Sequence, residues 1–140
     1  MAFAVKAEIP NSRTKVFVFS AQKTMYGGKN VAEGDTIYIF ASENEGGEGL
    51  VARGVVTATQ AIAKKSGMAR QTPRVSITVK RTAFAHRTLG RKELRQSSDW
   101  KDDQPETEIN FKFYLQATNK IVGISADAAK FLDGFSFTRK

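Results

Sequence analysis

The side chains with most to offer chemically lie in the middle of this 140-residue chain. Lys64, Lys65, Arg70, Arg74, Lys80, Arg81, Arg87, Arg91, Lys92, Arg95 and Lys101 are offset only by Glu93 and Asp99, so residues 64–101 carry a net charge of +9. The rest of the chain has a net of −1, and the whole a net of +8. Charge that serves solubility mixes both signs over a surface. A block of one sign is the footprint of a polyanion site, and nucleic acid is the expected polyanion. Phosphate contacts are assigned to Arg70, Arg74, Lys80, Arg81, His86, Arg87, Arg91 and Arg95. No amphipathic basic helix with an aromatic face accompanies these charges, which argues against a membrane surface.

Reading a base takes a ring face to stack on and polar atoms for the base edge. One stack is worth about 1–3 kcal/mol. Phe17, Phe19, Tyr26, Tyr38, Phe40, Trp100, Phe111 and Tyr114 are the available aromatics, although most phenylalanines of a small domain must be core. The expected pocket comprises Phe17, Phe19, Ser20, Lys23, Tyr38, Ser42, Trp100 and Tyr114. Ser20, Lys23 and Ser42 follow strands, where loop polar groups reach ligands. Trp100 stands in a polar loop beside the basic stretch.

Enzymatic chemistry has little to work with. The chain has no cysteine, which removes disulfides, a thiol nucleophile and Cys-ligated zinc. His86 is the single histidine, with no carboxylate or serine partner evident for general-base work. The run Glu43-Asn44-Glu45-Gly46-Gly47-Glu48-Gly49 lacks the spacing of a calcium loop, and it is too acidic for a phosphate cradle. A binding module without catalytic residues, cofactor or metal is therefore expected. The alternative is a small enzyme or small-anion receptor using the same cleft with Lys23, Arg53 and His86.

These residues need a frame. A hydrophobic share of 41% and a charged share of 26% fit one globular domain over residues 1–140. No apolar run reaches the ~18 residues of a membrane span, and the first residues lack the regions of a secretory signal, so a cytoplasmic location is expected. Strands are expected at 15–20, 36–41, 50–58, 74–80, 109–116 and 121–124, from β-branched and aromatic runs. The run 74–80 alternates strictly, with Val75, Ile77 and Val79 on one face. Short helices are expected at 59–65 and 89–96, and at 126–133 behind the cap Ser125; residues 97–108 read as a loop. Gly34-Asp35 reads as a turn held by the Asp35 side chain. Together these predict an α+β fold: a small mixed, mostly antiparallel β pseudo-barrel with a few short helices.

The succession Phe17-Val18-Phe19-Ser20, Gly27-Gly28, Gly34-Asp35, Ile37-Tyr38-Ile39-Phe40-Ala41-Ser42 and Leu50-Val51-Ala52-Arg53-Gly54-Val55-Val56 resembles the PUA-like superfamily. Within it the chain is most similar to the EVE branch, with ASCH domains next. The resemblance implies a pseudo-barrel that binds RNA, or DNA bearing modified bases. EVE domains usually carry a tryptophan near the first strand and a Lys-Ser-Glu-Pro-like run. Here phenylalanines take the first place, and Phe19-Ser20-Ala21-Gln22-Lys23 is read in the second.

Overall fold

The computed structural model describes residues 2–11, 13–42, 49–62, 73–85, 89–94, 104–115 and 119–139. Strand β1 (Ala2–Ala7) pairs in parallel with β3 (Thr36–Ala41) and antiparallel with β6 (Lys120–Ile124). Strand β2 (Val16–Met25) joins β6 in parallel at Thr24 and Met25, and runs antiparallel to β5 (Arg74–Ala85) from Val16 to Lys23. Strand β4 (Gly49–Ile62) bridges β3 and β5. Six strands thus close a ring in the order β2-β6-β1-β3-β4-β5, and β7 (Ser136–Arg139) adds to the C-terminal end of β5. Closure removes the open edges that a flat sheet of this size would present.

The alternation of side chains along each strand divides the interior into two cores. Phe3, Val5, Phe17, Phe19, Ile37 and Val79 are among the residues that fill the barrel. The intervening residues Ala4, Tyr38 and Phe40 point outward and pack beneath a helical layer. That layer holds α1 (Arg91–Leu94), α2 (Pro105–Asn110) with the π-helical turn Phe111–Leu115 that continues it, and α3 (Ala126–Asp133). It supplies Leu94, Ile109, Phe113, Ala128 and Leu132 to the second core. β1, β3 and β6 are therefore covered on both faces. The outward residues of β2 and of the outer half of β4 stay at the surface, among them Val16, Val18, Ser20 and positions 57–62. No helix among the described residues is long and apolar enough to cross a membrane.

Several expected elements appear as read. Ser125 caps α3 by accepting from Ala128 N at 3.0 Å. Gly34 has φ +95°, and Asp35 Oδ2 accepts from Ala32 N at 2.8 Å, which holds the turn before β3.

Others differ. Residues 59–62 extend β4 instead of turning into a helix, because they pair with β5 from Arg74 to Ile77. The expected strand 109–116 is helical over its described part, 109–115. Pro105 sits in the first turn with Glu106 and Glu108, favourable places for all three, so the helix begins inside the stretch read as a loop. Ile109 and Phe113, four apart, then share one buried face. Helix α1 begins at Arg91, two residues after the expected start at 89, and residues 95 and 96 lie outside the described residues. β1 and β7 have no counterpart among the expected strands.

Candidate nucleic-acid interface

β2, β4 and β5 form the side of the barrel away from β1. These three strands carry Lys23, Arg53, Arg74, Lys80 and Arg81, and no Asp or Glu. Their commitments differ. Arg53 Nη1 is tied to Asp133 Oδ1 at 2.8 Å, and the same oxygen accepts from Tyr38 Oη at 2.6 Å. Arg74 Nη1 donates to the Ala21 carbonyl at 2.8 Å. Lys23 and Lys80 are exposed. Arg81, by contrast, is buried and donates to the carbonyls of Arg13 and Thr14.

The residues expected to form a base pocket do not come together. Phe17 and Phe19 face inward before the irregularity in β2, so they stack on each other inside the barrel, 6.0 Å apart, and offer no ring to a base. Tyr38 and Tyr114 lie in the other core, beneath the helices. Burial, then the hydrogen bond to Asp133, pushes the Tyr38 phenol well above its ordinary range. Ser42 is buried, with its N–H donating to Ala7 O at 2.8 Å. Ser20 and Lys23 are exposed, but they lie within β2 because that strand continues to Met25. Trp100, Arg70, His86, Arg87 and Arg95 lie outside the described residues, and of Arg91 only the backbone in α1 is described.

The structure also brings forward residues the sequence reading passed over. Lys6 and Lys120 are direct cross-strand partners on β1 and β6, at 1% and 0% exposure. Lys6 Nζ donates to the Phe113 carbonyl at 2.7 Å and lies 5.3 Å from the centre of the Tyr114 ring. Burial, and then the neighbouring Lys6 charge, lowers Lys120 to about 8. Two buried ammonium groups side by side are costly, and such perturbed groups concentrate at functional sites. The signal was a lysine inside each of two apolar strand-length runs, Phe3-Ala4-Val5-Lys6-Ala7 and Lys120-Ile121-Val122. Lys6-Ala7-Glu8-Ile9-Pro10, at the end of β1, also holds Lys, Glu and Pro in the order of the run that was read at 19–23.

Exposed rings lie elsewhere. Phe111 is 39% exposed and lines an open cleft of about 650 Å³ with Pro105, Glu108, Lys112, Ser125 and Asp127. Tyr26, 40% exposed, has Lys112 Nζ 4.9 Å from its ring centre. Its backbone is in the left-handed region, φ 53°, a strained state for an aromatic residue and one that clusters at ligand clamps. The cleft floor is preorganised. Glu108 Oε2 accepts from Lys112 Nζ and Ser125 N, and Oε1 accepts from Ser125 Oγ. Burial opposes ionisation of Glu108, but the two Ser125 donors and the Lys112 ammonium outweigh it and lower the carboxyl below its usual range. Among the described residues no group of three His, Asp or Glu side chains is placed to hold a metal ion.

No protein-family model and no curated protein matches the sequence. Solved structures match in fold. The DUF55 domain of human thymocyte nuclear protein 1 is 11% identical with a TM-score of 0.62, over 94% of this chain and 95% of that one. Human THYN1 protein in complex with 5-methylcytosine-containing DNA is 12% identical with a TM-score of 0.61, over 93% of this chain and 94% of that one. A protein from Pseudomonas putida is 11% identical with a TM-score of 0.61, over 96% of this chain and 99% of that one. At such identities the likeness is one of fold. It spans nearly the whole chain, and the pseudo-barrel implied by the resemblance is the architecture observed.

Proposed function

We propose that this chain is a nucleic-acid-binding module, not an enzyme. Phosphates lie along the β2–β4–β5 wall, and a base, modified or flipped, stacks on an exposed ring. The observation that carries the reading is the charge of that wall: Lys23, Arg74, Lys80 and Arg81, besides the Arg53 that Asp133 compensates, and no acid on three adjacent strands. Phosphate contacts supply most non-specific affinity and place the protein without reading sequence. The DNA complex of a protein with this fold supports the same reading. Tyr26 and Phe111 take the stacking role expected of Phe17 and Phe19, because their rings reach solvent.

The test is a panel of single- and double-stranded DNA and RNA, with and without 5-methylcytosine, titrated at several salt concentrations. Log affinity should fall linearly with log salt, by about 0.9 per phosphate contact on duplex. Lys23→Ala with Arg74→Ala should flatten that slope by about one unit per contact, for every sequence alike. Tyr26→Ala or Phe111→Ala should cost up to about 150-fold for the preferred base and leave the slope unchanged. Absent or salt-insensitive binding would refute the proposal.

A further inference from the structure

The barrel is closed along most of β4 but not all of it. β3 covers β4 from Gly49 to Val55, and the turn before β3 takes the next backbone groups: Val56 N donates to Asp35 O at 2.9 Å, and Val56 O accepts from Gly34 N at 2.8 Å. β4 then slips register against β5 between Val56 and Ala58, which leaves Thr57 as the extra residue of a bulge. Past the bulge, residues 58–62 pair on one side with residues 74–78 of β5. On the other side they pair with no strand among the described residues. All five are exposed. Five residues are the usual length of a whole strand, so this is a full open edge about 17 Å long.

Sheet edges are ordinarily kept from pairing with another chain by a charge, a proline or a covering segment. The run Ala58-Thr59-Gln60-Ala61-Ile62 has neither charge nor proline. Its two faces follow from β5. Thr59 and Ala61 lie opposite Ile77 and Val75, on the barrel side, and Ala58, Gln60 and Ile62 lie opposite Thr78, Ser76 and Arg74, on the outer side. The run is also self-complementary about its middle residue. Two antiparallel copies in register set Gln60 opposite Gln60, Ala58 opposite Ile62 and Thr59 opposite Ala61. A primary amide is donor and acceptor at once, so two glutamines satisfy each other across the axis. Ile62, 37% exposed, gains an apolar cross-strand neighbour in Ala58.

We infer that this edge pairs with the same edge of a second copy of the chain, about a two-fold axis at Gln60. The like charge of two basic walls does not forbid it. The β5 strands of the two copies stand three strand spacings apart, about 14 Å, beyond the ~8–10 Å over which exposed charges stay coupled in salt. The register separates them further, because Arg74 comes level with Thr78 of the second copy. An uncharged edge selects an uncharged strand, and the chain itself supplies one. The axis is perpendicular to the sheet, so the outer faces of both copies point the same way and their walls become one continuous surface. Pairing over five residues buries far less than the ~1,200 Å² of a stable interface, so the free dimer is weak. A nucleic-acid strand lying across both walls would hold the copies together. That last step rests on the function proposed above; the pairing itself does not.

The experiment follows the backbone amide resonances of the full chain by NMR as its concentration is raised to ~1 mM, with sedimentation to read molecular size. The amides of residues 58–62 should shift with concentration, and those of β1 should not. Gln60→Lys and Gln60→Glu each set like charges opposite one another at the axis and should weaken pairing about fivefold or more, whereas an equimolar mixture of the two should pair at least as well as the wild type. Gln60 is exposed, so both variants keep the fold. Mixing does not rescue a variant that merely damages β4. Amides at 58–62 that stay unmoved, or a mixture no better than its components, overturn the inference. A chain that stays monomeric while an added peptide of alternating threonine and glutamate moves those amides assigns the edge to an acidic strand and overturns it equally. A final arm adds an oligonucleotide long enough for two copies, which the wild type should bind cooperatively and Gln60→Lys should not. Cooperativity that survives Gln60→Lys removes the joined wall. Concentration-dependent pairing without any oligonucleotide binding keeps the dimer and removes the nucleic-acid reading.

Discussion

Replacing Lys120 by methionine tests whether the buried ammonium pair is held under strain. Lys120 is fully buried beside Lys6, and its value falls from 10.5 to about 8. At 1.36 kcal/mol per unit, that difference corresponds to about 3 kcal/mol. Below pH 8 both folded and unfolded chains are protonated here, and the fold carries the whole penalty. Between pH 8 and 10.5 the unfolded chain holds a proton that the folded chain has released, so stability rises with pH across that window. The limiting slope is about 1.4 kcal/mol per pH unit. Lys120→Met removes the charge at similar length and should be more stable than the wild type at neutral pH by about 1–3 kcal/mol, since apolar replacement of a buried charge is often stabilising. Urea unfolding of both proteins from neutral pH to about pH 10.5 reads the effect. Titration of lysines and tyrosines away from Lys6 acts on both chains alike, so the difference between them isolates the Lys6–Lys120 pair. The advantage of the variant should shrink as pH rises through the window. A difference that stays constant with pH would show that Lys120 is not depressed.

Gly54→Ala should cost about 2–3 kcal/mol in urea unfolding. A Cβ there would meet Val79 Cγ1 at 2.5 Å and the Lys80 carbonyl oxygen at 2.6 Å, and the latter is backbone that cannot move aside; a wild-type midpoint would contradict the register of β4 on β5. Ser125→Ala removes the cap on Ala128 N and the hydroxyl that donates to Glu108, and should cost about 1–2 kcal/mol at neutral pH. Because Glu108 sits below 4.5 in the fold, its contribution is present above 4.5 and lost as pH falls through the folded value. The Ser125→Ala deficit should therefore narrow on acidification below about pH 4.5, and a deficit independent of pH would place the whole effect in the helix cap.

What could be read from the sequence depended on how each strand is buried. β5 alternates because one face fills the barrel and the other meets solvent, so Val75, Ile77 and Val79 marked it directly. α3 was legible from Ser125 and the apolar spacing behind it. β1 is covered on both faces, so Phe3, Ala4 and Val5 show no alternation, and Lys6 breaks the apolar run. The segment from Ile109 to Leu115 misled for a related reason. Phe111, Phe113 and Leu115 are two apart, as in a strand, but Ile109 and Phe113 are four apart, and both are fully buried while Phe111 is exposed. The basic wall was half legible. Lys80 and Arg74 stand on the outer side of the strand foreseen for them, whereas the burial of Arg81 depends on pairing between β2 and β5. The aromatic site was not legible, since nothing local tells that Phe17 faces inward while Tyr26 and Phe111 reach the surface.

That division follows from the asymmetry of the barrel. A helical layer packs where the outward residues are apolar, and Ala4, Tyr38, Phe40 and Val122 place it over β1, β3 and β6, reaching β4 only at its start, Leu50 and Arg53. β2, β4 and β5 keep small, polar or basic residues on much of their outer face, so, apart from Arg53, which Asp133 compensates, their positive charge falls on the side the helices leave open. The two sides meet where β2 runs beside β6 at Met25 and Val122, and there Tyr26 lies under the Lys112 ammonium. Ring surface and phosphate surface are thus separate parts of the fold, joined along β2. Under the proposed function, substitutions along the wall should change the salt slope without changing base preference, and substitutions at Tyr26 or Phe111 should do the reverse. A single substitution at either place that moved both quantities together would mean that one site, not two, carries the binding.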